Sequence, residues 1–202
     1  MTLWLADAPL VLASRSEIRR RILRDAAVPV EVAPADIDER ALQARAPSAD
    51  PGAVAALLAR EKALAVARTR PGRLVLGADQ VLAFGSRLLN KPADLDAARA
   101  QLKALRGQTH ALHAAIALVR DGAVTFAHED AARLCMREFS DGFLDAYLAT
   151  AGAAVTASVG AYQLEGPGIH LFEEVEGDYF TILGLPLLPL LRHLRQAHVL
   201  AA

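Results

Sequence analysis

At 202 residues and 53% hydrophobic, the chain has enough apolar side chain to bury a sizeable core, and it reads as one domain spanning 1–202. Lysine plus arginine number 22 against 23 acids, which excludes a global field for recruiting a nucleic acid polymer or an anionic membrane. Any anionic ligand must therefore meet a local cluster.

The single cysteine, Cys135, excludes an internal disulfide, and the histidines at 110, 113, 128, 170, 193 and 198 show no zinc spacing. The opening MTLWLADAPLVLAS lacks a basic n-region and carries Asp7, a poor signal peptide. The apolar run Ile182 to Leu191 is too short to span a bilayer and is broken by Pro186 and Pro189. A cytoplasmic location is the expectation.

In chain order, Pro9 to Ala13 predicts a buried strand, and Ser14 to Ser16 leads into a helix running to about Ala27 with Ser16 as N-cap. Val28 to Val32 predicts a second strand, and Pro34 to Pro51, rich in Asp, Pro and Ser, a segment wrapping the surface. Gly52 to Arg70 has the spacing of an amphipathic helix carrying Arg60, Glu61 and Lys62. Leu74 to Leu76 reads as a short buried strand, with the next beginning at Val81, so Gly77 to Gln80 falls between them and Asp79 sits at a strand end. Asp94 to Leu105 is a strong helix stopped by Arg106-Gly107, and Thr109 to Val119 and Val124 to Met136 are long strands joined at Asp121-Gly122. Ser140 caps a helix to about Ala149, Ser158 to Gly168 is a glycine-rich loop, Ile169 to Val175 a last strand, and Pro186 to Gln196 the closing helix. Strands alternating with helices around a long hairpin predict an α/β sheet of mixed direction.

Several element ends carry chemistry. In LASRSEIRRRIL, residues 12–23, a strand turns through hydroxyl residues into a helix whose free N–H groups suit phosphate, with Arg19 in the first turn. Alone, the stretch reads more simply as a serine cap before a solvated arginine face. Lysine occurs only at 62, 91 and 103, so Lys62 and Lys91 stand out in a chain that otherwise writes positive charge as arginine, and an ammonium suits a point contact with phosphate. Asp79 can hold a divalent cation or take a proton from water, and Glu31 is a second acid between apolar neighbours. The plainer alternatives are a turn aspartate and the polar face of a half-buried strand.

Taken together, LASRSEIRR at the first strand–helix turn, LAREKA at 58–63, GADQV at 77–81, NKP at 90–92, LRGQTHALHAAIAL at 105–118, GAYQLEGPG at 160–168 and GLPL at 184–187 resemble, in one register, the Maf family of nucleoside triphosphate pyrophosphatases. The resemblance implies an α/β fold with a mixed elongated sheet flanked by helices, in two lobes around a central cleft. It implies hydrolysis of a nucleoside triphosphate to monophosphate and pyrophosphate by metal-assisted attack of water, with Mg2+ or Mn2+ as cofactor. By motif, Asp79, Glu31 and Lys62 become catalytic, and Ser14, Arg19, Lys62 and Lys91 hold the triphosphate. Asp79 and Glu31 become the metal ligands. Family members are often dimeric, which leaves a homodimer open.

Base specificity is expected at Ile18, Gln80 and Glu165. Glutamine and glutamate at the last two match the branch acting on 7-methyl-GTP, where an acid faces a guanine edge or its positive charge. That branch usually has tryptophan where this chain has Ile18, and Glu17 replaces the usual proline. The alternatives are the dTTP/UTP branch, a pyrophosphatase for deaminated purines such as ITP or XTP, and a nucleotide-binding regulator of septum formation.

Overall fold

The structure, a computed structural model, describes every residue except Met1, Pro47 and Ala49. Among the described residues, strands β1 (Leu10–Leu12), β2 (Val30–Val32), β3 (Val75–Phe84), β4 (Arg87–Leu89), β5 (Thr109–Arg120), β6 (Ala123–Met136) and β7 (Phe172–Glu176) form one sheet. Their order is β2-β1-β3-β5-β6-β7, with β4 paired to β3. β1 runs parallel to β2 and β3, whereas β4 is antiparallel to β3 and β7 to β6, giving the mixed α/β sheet expected. The chain divides into two compact units, one of Met1–Gln80, Ala114–Asp130 and Tyr179–Ala202, the other of Val81–His113 and Ala131–Asp178.

In the first unit, strand alternation sorts side chains into two layers. Leu10 and Leu12 of β1, Leu76 and Ala78 of β3, and Ile116 and Leu118 of β5 share one core. Helix α1 (Glu17–Asp25) adds Ile22 and Leu23 to it, and the last helix, Leu187–Gln196, adds Leu187, Leu190 and Leu194. The intervening residues Val11, Ala13, Val75, Ala117 and Val119 face the other way, against Ala63, Val66 and Ala67 of the helix Pro51–Ala67. Both faces of β1 and of the first residues of β3 are covered, so Leu10–Leu12 and Val75–Ala78 read as continuous buried runs.

Two features of this unit depart from the sequence reading. A six-residue helix, α2 (Glu39–Ala44), interrupts the segment expected to wrap the surface; Asp38 caps it, its Oδ1 accepting from Ala41 N at 3.0 Å. The long helix Pro51–Ala67 is therefore α3. Further on, β3 does not stop at Leu76 but runs unbroken from Val75 to Phe84, placing Asp79 inside a strand. Gly77, expected in a connection, is a packing glycine. A Cβ there would clash with Ala59 O and lie 2.8 Å from Ala63 N, so its absence lets α3 lie close on β3.

The second unit holds α4 (Leu95–Leu105) and α5 (Asp141–Ala151), capped by Asp94 and Ser140. After a short 3-10 turn at Gly152–Thr156, the predicted glycine-rich loop Ser158 to Gly168 carries two more, Val159–Ala161 and Pro167–Leu171, and the last strand starts at Phe172 rather than Ile169. In the first unit a one-turn helix, α6 (Tyr179–Ile182), precedes the closing helix α7 (Leu187–Gln196). Among the described residues, no helix is long and apolar enough to cross a membrane.

Candidate active site

Two periodicities meet at Asp79. Along β3, Val75, Gly77 and Asp79 point to the α3 face, because strand side chains alternate. On α3, Ala59, Lys62, Ala63 and Val66 share a face through spacings of three and four residues. Docking Gly77 on Ala59 and Ala63 thus brings Lys62 to the next inward position of the strand. Lys62 Nζ donates to Asp79 Oδ1 at 2.6 Å, and Asp79 is only 7% exposed.

The same ammonium meets Glu39 Oε1 at 2.9 Å, so α2 supplies a second acid to the cluster. Burial raises the pKa of Asp79 above the ordinary carboxylate value; Lys62 and Arg19 pull it down and Glu39 pushes it up, without reversing that direction.

Around this cluster, Arg19 is a buried tie. Its Nη1 donates to Ser14 Oγ at 3.1 Å and to Ala78 O at 2.8 Å, and its Nε donates to Gly184 O at 2.8 Å. One guanidinium therefore holds the turn after β1, the residue before Asp79 and the GLPL segment. Burial lowers its pKa, opposed by Asp79 and Glu39, and the group remains a cation. Ser14 Oγ also accepts from Ser16 N at 3.3 Å, fixing the entry to α1, while Ser16 Oγ caps the helix through Arg19 N at 3.4 Å.

The structure brings together Ser14, Arg19, Lys62 and Asp79, all buried. Gln80 lies beside them, its Nε2 donating to Thr181 O at 3.0 Å and Ile182 O at 2.9 Å, so its amide hydrogens anchor α6 and leave Oε1 as the group able to accept. Ile18 packs against the core rather than standing clear as a stacking surface.

Glu31 is the residue the structure does not bring to Asp79. Its carboxylate is 40% exposed and pairs with Arg73 at 2.9 Å and Arg70 at 3.5 Å; the acid that meets Lys62 is Glu39. Sequence reading missed Glu39 because it took the stretch as loop, although Asp38-Glu39 ahead of Ala41 and Leu42 carries a helix-start signal. Lys91, exposed after β4, and the half-exposed Glu165 belong to the second unit.

Comparison with known proteins gives the family. The family model described as "Maf-like protein" matches residues 9–197. A nucleoside triphosphate pyrophosphatase of Rhodopseudomonas palustris strain BisB18 is 55% identical over the full length of both chains. A 7-methyl-GTP pyrophosphatase of Mesorhizobium japonicum is 53% identical over 92% of this chain and 94% of its own. A solved HAM1 protein from Coxiella burnetii overlaps 63% of this chain and 72% of its own at 18% identity, with a TM-score of 0.42. With a family model spanning nearly all of the sequence and full-length relatives above half identity, the chain belongs to the Maf family.

Proposed function

We propose that this protein is a nucleoside triphosphate pyrophosphatase whose preferred substrate is 7-methyl-GTP. The observation that carries the reaction is a buried carboxylate, Asp79, with its pKa raised by burial and its orientation held by Lys62. A carboxylate made more basic in this way suits removal of a proton from water.

In the proposed step, the water oxygen forms a bond to the α-phosphorus while the bond from that phosphorus to the α–β bridging oxygen breaks, and its electron pair departs with that oxygen on pyrophosphate. Asp79 takes the water proton. Lys62 orients Asp79 in the free enzyme and offers positive charge to the triphosphate. Ser14 joins it from the β1–α1 turn. Arg19, with three donors committed to protein acceptors, acts by holding that turn and Ala78 in place.

The donor set also suits a divalent cation. Asp79 and Glu39 converge on the single nitrogen of Lys62, two hard oxygen donors of the kind that hold Mg2+ or Mn2+ together with substrate phosphates. Among the described residues, no group of three or more His, Cys, Asp or Glu could hold a metal, so phosphate oxygens and water would complete the coordination. Bound there, the cation would supply charge neutralisation at the triphosphate.

The base reading rests on Gln80 and Glu165 and on the name of the Mesorhizobium relative. Release of pyrophosphate over 7-methyl-GTP, GTP, dTTP, UTP, 5-methyl-UTP, ITP and XTP, with magnesium or manganese, tests it. Preference for 7-methyl-GTP is the expected result, whereas preference for dTTP or UTP would overturn the base assignment and keep the reaction. Tight nucleotide binding with no turnover would favour the regulator.

A further inference from the structure

The second unit contains a buried polar pair outside the proposed reaction. His110 Nε2 and Tyr162 Oη are 2.6 Å apart, and both residues are almost fully buried. They come from two motifs, QTH at the start of β5 and the GAYQLEG loop. Phe172 packs edge-on to the Tyr162 ring at 4.8 Å and tilted to the His110 ring at 6.0 Å.

Hydrogen-bond accounting assigns the proton. His110 Nδ1 is buried without a hydrogen-bond partner among the described residues, so one imidazole site goes unsatisfied in either tautomer. If Tyr162 donates to Nε2, the hydroxyl proton is used and only the Nδ1–H lacks a partner. If His110 donates instead, both the Nδ1 lone pair and the hydroxyl proton lack partners. The first arrangement leaves fewer groups unpaired, so Tyr162 is the donor and His110 a neutral acceptor.

The backbone beside Tyr162 needs such a fastening. Gly160 has φ 79° and Ala161 φ 61°, a left-handed conformation costly for alanine. A Cβ on Gly160 would lie 2.5 Å from Tyr162 Cε1 and 2.7 Å from Leu82 Cδ1, so the tyrosine ring fills the space over the glycine. Tyr147 Oη donates to Ala161 O at 3.1 Å from the other side. Beyond Tyr162 the chain folds back on itself, Gly166 N donating to Gln163 O at 3.2 Å, and Glu165 sits in that turn.

We infer that His110 and Tyr162 are positioning residues that set substrate selectivity by fixing the loop that carries Glu165. The inference rests on the reading of Glu165 as the acid that faces the base. Tyr162→Phe keeps the ring and removes the bond. Its expected effect is a fall of at least fivefold in the ratio of kcat/KM for 7-methyl-GTP over GTP, arising mainly in KM. His110→Gln, whose amide can still accept from the hydroxyl, should retain most of that ratio, whereas His110→Ala should lose it. Glu165→Gln should lower the ratio by a similar factor, and the Tyr162→Phe/Glu165→Gln double variant no further, since both changes act through one contact. Thermal melting of each variant checks folding. If Tyr162→Phe keeps the wild-type ratio while Glu165→Gln loses it, the positioning role is overturned and Glu165 stands. If Glu165→Gln keeps the wild-type ratio, the reading of Glu165 fails and the proposal falls with it.

Discussion

The two units each bury a polar group next to a partner 2.6 Å away, and they do it in opposite electrical states. In the first, Lys62 and Asp79 are an ammonium and a carboxylate with Arg19 and Glu39 acting on them. In the second, His110 and Tyr162 are neutral, among Phe172 and apolar neighbours. Burial drives His110 down to about 4 and Tyr162 well above its usual value, so neither ionises near neutrality. Buried charge next to charge is a store of reactivity, because solvation by water has been replaced by groups a ligand can displace. A buried neutral pair offers shape instead. On the proposed reading, the charged pair of the first unit serves chemistry and the neutral pair of the second holds geometry.

The largest test of that division is Asp79→Asn. It should lower kcat by about 10³-fold, within the range for loss of a general base, and leave nucleotide binding largely intact. On the proposed reading Asp79 must be ionised to act, and because burial raises its pKa in the free enzyme, the acid limb of kcat/KM against pH should lie above the ordinary carboxylate value. Unchanged turnover in Asp79→Asn would remove the chemical role from the first unit.

Next in size is Lys62→Met. It leaves the Asp79 carboxylate buried without its nearest counter-charge, a change that costs roughly 3–5 kcal/mol. Chemical denaturation should show that loss, with much of it recovered in Lys62→Met/Asp79→Asn, where both charges are gone. No recovery would mean that Lys62 contributes mainly by packing.

The neutral pair gives a pH test of the other sign class. His110 has a folded pKa of about 4 against 6.5 unfolded, so between those values the unfolded chain binds more protons. Its contribution is fully present above pH 6.5 and is lost as pH falls towards 4, by roughly 3 kcal/mol in all. Urea denaturation across that window should therefore fall more steeply for the wild type than for His110→Gln. Parallel curves would show that His110 is not buried neutral.

The smallest effect is expected at Glu31. Its pairing with Arg70 and Arg73 is partly solvent-screened, so Glu31→Gln should cost less than about 1 kcal/mol and leave kcat within about twofold. Glu39→Gln should instead weaken activation by magnesium or manganese. A large loss of turnover in Glu31→Gln would return that residue to the site.

What sequence by itself determined was local and periodic. The three-to-four spacing of α3 already implied that Lys62 occupies a defined face, and the caps at Ser16, Asp94 and Ser140 marked helix starts that the structure keeps, whereas Asp79 reads as a strand-end residue and only the folded chain puts it inside β3. Motif order identified the family, and strands alternating with helices around a long hairpin anticipated a mixed α/β sheet. Tertiary structure decided what depends on distant partners. Gly77 looked like a turn residue until the close packing of α3 gave it another reason to be glycine. Glu31 and Glu39 are both acids in plausible settings, and only the folded chain pairs the first with Arg73, 42 residues away, and the second with Lys62. His110 and Tyr162, 52 positions apart, each looked like an ordinary strand or loop residue. A side chain's environment is set by whichever segments the sheet order brings against it, and no local pattern encodes that choice.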